Sequence, residues 1–161
     1  MGRVKKIFEK YVFKGEDMYR LIQKYYPDGT TALNLDMILH KCIKVANELY
    51  GTSIELVKND NRILVQSDVN AVTAQIIQIL DTVCLTNNRA SVIINSDEVN
   101  KVVTVAFECE GICDGMTLEF DLYTGIPSNV ISDKNAEAAL EALIRETFKK
   151  AAKIRKSRES L

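Results

Sequence analysis

The chain has 161 residues, of which 47% are hydrophobic and 27% charged, with a formal net charge of −1. That composition is too apolar for a disordered chain and fits one domain with a core large enough to need no disulfide staples. No apolar run approaches the ~20 residues of a bilayer span, and the basic start MGRVKKIFEKYVF lacks the apolar core and cleavage site of a secretory signal, so a cytoplasmic location is the expectation.

Val4, Ile7, Phe8, Tyr11 and Val12 recur at helical spacing until Lys14-Gly15, and Met18, Leu21, Ile22 and Tyr25 repeat the pattern until Pro27-Asp28-Gly29. The spacing predicts a helical hairpin over residues 1–28. Its aromatic residues, interleaved with lysines, are read as core packing against the main body rather than a base-stacking platform.

From Leu35 the stripe Leu35, Ile38, Leu39, Cys42, Ala46 and Leu49 predicts a helix that ends at Gly51, a residue suited to the left-handed position after a helix. TSIELVK and RILVQS read as two strands joined by the turn Asn59-Asp60-Asn61. Ser67 or Asp68 then caps a helix with Val72, Ile76, Ile79, Leu80 and Val83 on its buried face, ending near Asn87-Asn88.

Three strands follow: ASVIIN, KVVTVAFEC and MTLEFDLYT. The second is apolar on both faces, which places it centrally. The third alternates, with Met116, Leu118, Phe120 and Leu122 inward and Glu119 and Asp121 outward. A final helix carries Ala136, Ala139, Leu140, Leu143, Ile144 and Thr147 and runs into a basic end.

The order after the hairpin is thus α-β-β-α-β-β-β-α. It predicts an α+β domain with a mostly antiparallel five-stranded sheet and packed helices. The expected division is 1–28 for the hairpin, 33–148 for the α+β core and 149–161 for the basic helix end, all within a single domain.

Charge is distributed unevenly. Residues 1–14 carry Arg3, Lys5, Lys6, Lys10 and Lys14 against Glu9, and residues 149–161 carry Lys149, Lys150, Lys153, Arg155, Lys156 and Arg158 against Glu159, which leaves the body acidic. Basic ends of this kind could meet nucleic acid, an acidic membrane surface, or the acidic body of the same or a second copy. The C-terminal run also suits the negative end of a helix dipole with no partner at all.

Few residues point to chemistry. His40 is the only histidine, and Asp36 lies four residues earlier on one helical face, so the pair is a weak candidate for general base work or phosphate acceptance. Cys109 and Cys113, with Asp114, are weak metal candidates. One C-x₃-C without a second ligand pair is not a zinc pattern, and its acidic surroundings disfavour thiolate chemistry. In FECEGICDGM the glycines and Asp114 read as a chain reversal, with Cys109 inward and Glu108 on the opposite face. Cys42 and Cys84 fall on apolar stripes and read as reduced core residues. No phosphate-cradling glycine motif is present, and no cofactor is called for.

Residues 33–112 resemble the ATP-binding domain of histidine kinases in element order and apolar spacing. That family carries an N-L-L-x-N-A box and a later D-x-G-x-G. Here QILDTV places Gln78 and Thr82 where the asparagines stand, and FECEGI places Phe107 for the aspartate and Cys109 for the first glycine. The resemblance implies a degenerate scaffold that does not bind ATP, of the kind used for phosphotransfer or as an adaptor. SIELVKNDNRILVQS and AALEALIRETF are similar to strands and the last helix of the histidine-containing phosphocarriers, without that family's G-L-H-A-R-P segment. The small dynein-light-chain-like regulatory fold shares the element order as well. An order common to three families identifies none of them.

The reading these features favour is a non-catalytic protein-interaction or regulatory module that self-associates. The alternative is a phosphotransfer protein with His40 as acceptor. A third is nucleic-acid binding through Lys5, Lys6, Lys10 and the 149–158 cluster.

Overall fold

A computed structural model describes residues 32–57, 63–109, 116–124 and 134–159. The hairpin expected over 1–28 lies outside these residues, as do the expected turn Asn59-Asp60-Asn61 and the expected reversal in FECEGICDGM, with Cys113 and Asp114.

Strand β1 (Ala32–Asn34) leads into helix α1 (Leu35–Tyr50), and β2 (Ser53–Val57) and β3 (Leu64–Gln66) follow. Helix α2 (Val69–Thr86) precedes β4 (Arg89–Asp97), β5 (Val102–Cys109) and β6 (Met116–Asp121), and helix α3 (Lys134–Glu159) ends the described chain. The α+β class is as expected. The single five-stranded sheet is not: the described strands form a four-stranded sheet in the order β2-β4-β5-β6 and a separate pair, β1-β3, although every pairing among them except β2 with β4 is antiparallel, as expected.

The cause lies in how the helices feed the strands. Gly51 adopts φ 66° after α1, and its amide donates to the Asn47 carbonyl, so Thr52 and Ser53 follow at once. Asn87 and Asn88 turn the chain equally tightly after α2, and the Ser53 amide donates to the Asn88 carbonyl at 2.8 Å. Both helices therefore deliver their strands at one end of the sheet, and β2 and β4 run parallel. β3, expected to pair with β2, instead pairs antiparallel with β1 and bridges to Leu122 after β6. β5 is central, between β4 and β6, as its apolarity predicts.

Caps fix the helix starts. The Asn34 side chain accepts from the Met37 amide, and Asp68 accepts from the Ala71 amide. The three described helices bury their apolar stripes with one face of the large sheet. Their stripes enclose one core with Ile54, Val92, Ile94, Val103, Val105, Phe107 and Phe120 from the strands. α2 is long and apolar enough to cross a membrane by length and composition alone; in this fold Val72, Ile76, Ile77, Leu80 and Val83 are all fully buried.

Among the described residues, one buried side-chain polar atom lacks a partner. Thr73 Oγ1 is buried without a hydrogen bond. A buried hydroxyl of this kind costs more than an apolar group of the same shape. Thr73→Val is expected to raise stability by about 1 kcal/mol in urea unfolding, whereas Phe107→Ala, which empties the centre of β5, should lower it by about 3–5 kcal/mol.

Candidate functional site

The two ion pairs between α1 and α3 step in the same direction, Lys44 to Glu141 and Glu48 to Arg145, so these helices run parallel. Their C-terminal halves meet the end of α2, where a polar cluster sits. The Asp81 carboxylate, largely buried, accepts from the Tyr50 hydroxyl, and Arg155 Nη1 donates to the same oxygen at 2.5 Å. Tyr50 also sets its ring edge-on to Phe148, with centroids 6.0 Å apart.

A carboxylate this buried is stable as an ion only when paired and hydrogen-bonded. Burial, together with donation to Asp81, pushes the Tyr50 phenol up to about 12, and the Arg155 charge opposes the shift. Asp81 and then Tyr50 hold the Arg155 guanidinium above its ordinary range. Beside the cluster, Thr52 Oγ1 donates to Asn47 Oδ1 at 2.9 Å and lies 3.5 Å from Cys84 Sγ. Burial pushes the Cys84 thiol up, Thr52 opposes this and Asp81 adds to it, so Cys84 is a poor nucleophile. Cys42, wholly enclosed, is raised further by burial alone.

The cluster sorts the basic run of α3. Arg155 turns inward, while Lys149, Lys150, Lys153, Lys156 and Arg158 are exposed. Ile154 is 56% exposed among them. Leu49, next to Tyr50, and Leu85, one turn beyond Asp81, are also exposed. The ordered α3 thus ends in a cationic face with an isoleucine in it.

The other candidates are placed apart. His40 is exposed, but Asp36 does not orient it: Asp36 Oδ2 accepts from the Ile63 amide at 3.1 Å. Burial raises the Asp36 carboxyl, and that amide bond opposes the rise. Cys109 is half-buried against the core rather than fully enclosed, and Glu108 points to the opposite sheet face. Among the described residues no group of three metal-ligating side chains gathers. Lys5, Lys6 and Lys10 lie outside the described residues. Gln78 and Thr82 face solvent on α2, with Thr82 Oγ1 donating to the Gln78 carbonyl, and Phe107 is fully buried. The positions aligned with nucleotide-serving residues therefore do not converge on a nucleotide.

A recess of about 470 Å³ does open at the end of the sheet where β2 and β4 begin, lined by Ser53, Glu55, Arg89, Ser91, Glu108 and Cys109. It contains the start of the FECEGICDGM stretch and is far from a nucleophile–base arrangement among the described residues, where the Cys109 thiol shares the lining with Glu55 and Glu108.

Sequence reasoning missed Asp81 and Tyr50. The signal was there: Asp81 continues the buried row Thr73, Ile77 on α2, and Arg155 continues Ile144, Phe148 on α3. A lone acid and a lone base, each at the end of a buried row, are natural partners.

Comparison with protein-family models, curated proteins and solved structures finds no match.

Because the folded phenol of Tyr50 sits above its unfolded value near 10, the folded state retains a proton that the unfolded chain gives up, and stability falls as pH rises through that window. Denaturant melts between pH 9 and 12 are expected to show this loss in the native chain and a shallower slope in Tyr50→Phe.

Proposed function

We propose that the chain is a non-catalytic interaction module whose docking surface is the basic end of α3, and that it takes an acidic protein surface. The observation that carries this is Ile154, exposed amid Lys150, Lys153, Lys156 and Arg158 on a helix whose Arg155 is pinned to Asp81. An apolar side chain ringed by cations suits a partner that offers an apolar spot ringed by carboxylates. A phosphate backbone has no use for the isoleucine. One isoleucine is also far short of the wide apolar face by which interfacial helices enter a bilayer.

The phosphate-relay reading has less support, because His40 is exposed and the Asp36 carboxylate is taken by the Ile63 amide instead. Nucleic-acid binding uses the same cations, and the experiment separates the two. A labelled poly-glutamate peptide and a DNA duplex are titrated with the full chain at low and high salt. The peptide is expected to bind, and Lys150→Glu with Lys153→Glu should weaken it by about tenfold or more, roughly 1.4 kcal/mol. Binding of the duplex alone would replace this reading with the nucleic-acid one, and binding of neither would end both.

A further inference from the structure

The strand registers define the face of the large sheet that no described helix covers. Along it, Glu55, Ser91 and Glu108 form one row across three strands, and Val57, Ile93, Ala106 and Thr117 form the next. Asn95, Thr104 and Glu119 form the third, and Val102 lies between Asp97 and Asp121 beyond it. An apolar row is therefore bracketed by carboxylates: Glu55 and Glu108 on one side, Glu119 and Asp121 on the other. Val57 is 46% exposed, and Ile93 and Ala106 are half-buried. None of these four carboxylates has an ion-pair partner among the described residues.

α3 carries the inverse pattern. Lys150, Ile154 and Arg158 are spaced four residues apart on one side of the helix and are all exposed. The rise between them is about 6 Å per step. Same-face rows on a strand are two residues apart, about 6.7 Å. Cation, apolar and cation on the helix thus match carboxylate, apolar and carboxylate on the sheet, in both sign and spacing. Within one chain α3 cannot make this contact, because its Phe148 is sealed in the core with the strands' other face and its Arg155 is bound to Asp81 of α2.

We propose that the partner is a second copy of this chain, with Lys150, Ile154 and Arg158 of one protomer seated over the Ala106–Ile93–Val57 row of the other, between Glu108 and Glu119. The proposal rests on the α3 docking reading and names its partner. The two surfaces differ, so the contact is made twice in a closed two-fold pair or once per junction in a chain of copies.

The experiment uses two full-length variants, Ile154→Glu, which spoils the helix surface, and Ala106→Lys, which spoils the sheet surface. Sedimentation velocity is run on each alone and on the mixture, with circular dichroism to verify folding. The native chain should associate reversibly, each variant should sediment as a monomer, and the mixture should recover dimers through the one intact pair of surfaces. If Ala106→Lys fails to fold, Glu119→Lys, on an exposed position of β6, takes its place. Association of both single variants as tightly as the native chain, or a mixture that stays monomeric, overturns the proposal. A native chain that is monomeric at its highest soluble concentration also overturns it. Should that chain still bind poly-glutamate through α3, the docking reading survives and only the identity of the partner falls.

Discussion

The bond from Arg155 to Asp81 is the constraint on which the presentation of α3 depends. Asp81 sits near the C-terminal end of α2, in a position too enclosed for an unpaired carboxylate. Neither α1 nor α2 has a basic residue in its last turn, so the negative ends of two parallel helix dipoles gather there uncompensated by their own side chains. Arg155 brings the compensating charge from a third helix, and Tyr50 closes the arrangement from the first. A helix whose last described turns are polar on most sides has little apolar area to hold it against the body. The inward arginine supplies the attachment, and the remaining cations are displayed as a consequence.

The sheet behind this arrangement has two unlike faces because every strand alternates. On the helix side Val103, Val105 and Phe107 are sealed in the core. On the other side Thr104, Ala106 and Glu108 of the same strand give an acidic surface with an apolar line through it. The basic helix end and the acidic sheet face are thus products of the same packing: the three described helices lie on one side, and none of them covers the other. That packing also explains why a chain with nearly balanced charge keeps its charges so far apart.

Much of the architecture was legible in the sequence. The helix from Leu35 to Tyr50, its stop at Gly51 and the Asp68 cap follow from local rules of periodicity and capping. The central place of β5 follows from apolar residues on both its faces. The pairing of β2 was not legible, since the assumption that sequence neighbours pair fails when the helices before β2 and β4 deliver both strands to the same end. The short β1, three residues long, leaves no periodic signal and was absent from the expected order. Of the site, the basic run on α3 was legible as composition, but not the division between Arg155 and its neighbours. That division is set by the helical phase of α3 against a buried acid 74 residues away in the chain. The Asp36–His40 pair illustrates the opposite error: helical spacing permits the contact, and an unforeseen backbone amide at Ile63 takes the carboxylate instead.

Asp81 fixes the basic end of α3 through Arg155. Amide hydrogen exchange on the native chain and on Asp81→Asn, which keeps the shape and removes the charge, tests it most directly. Exchange over residues 150–158 is expected to be at least about tenfold faster in the variant, with residues 139–147 protected as before, as for a local opening. Equal protection of residues 150–158 in the two proteins would contradict it.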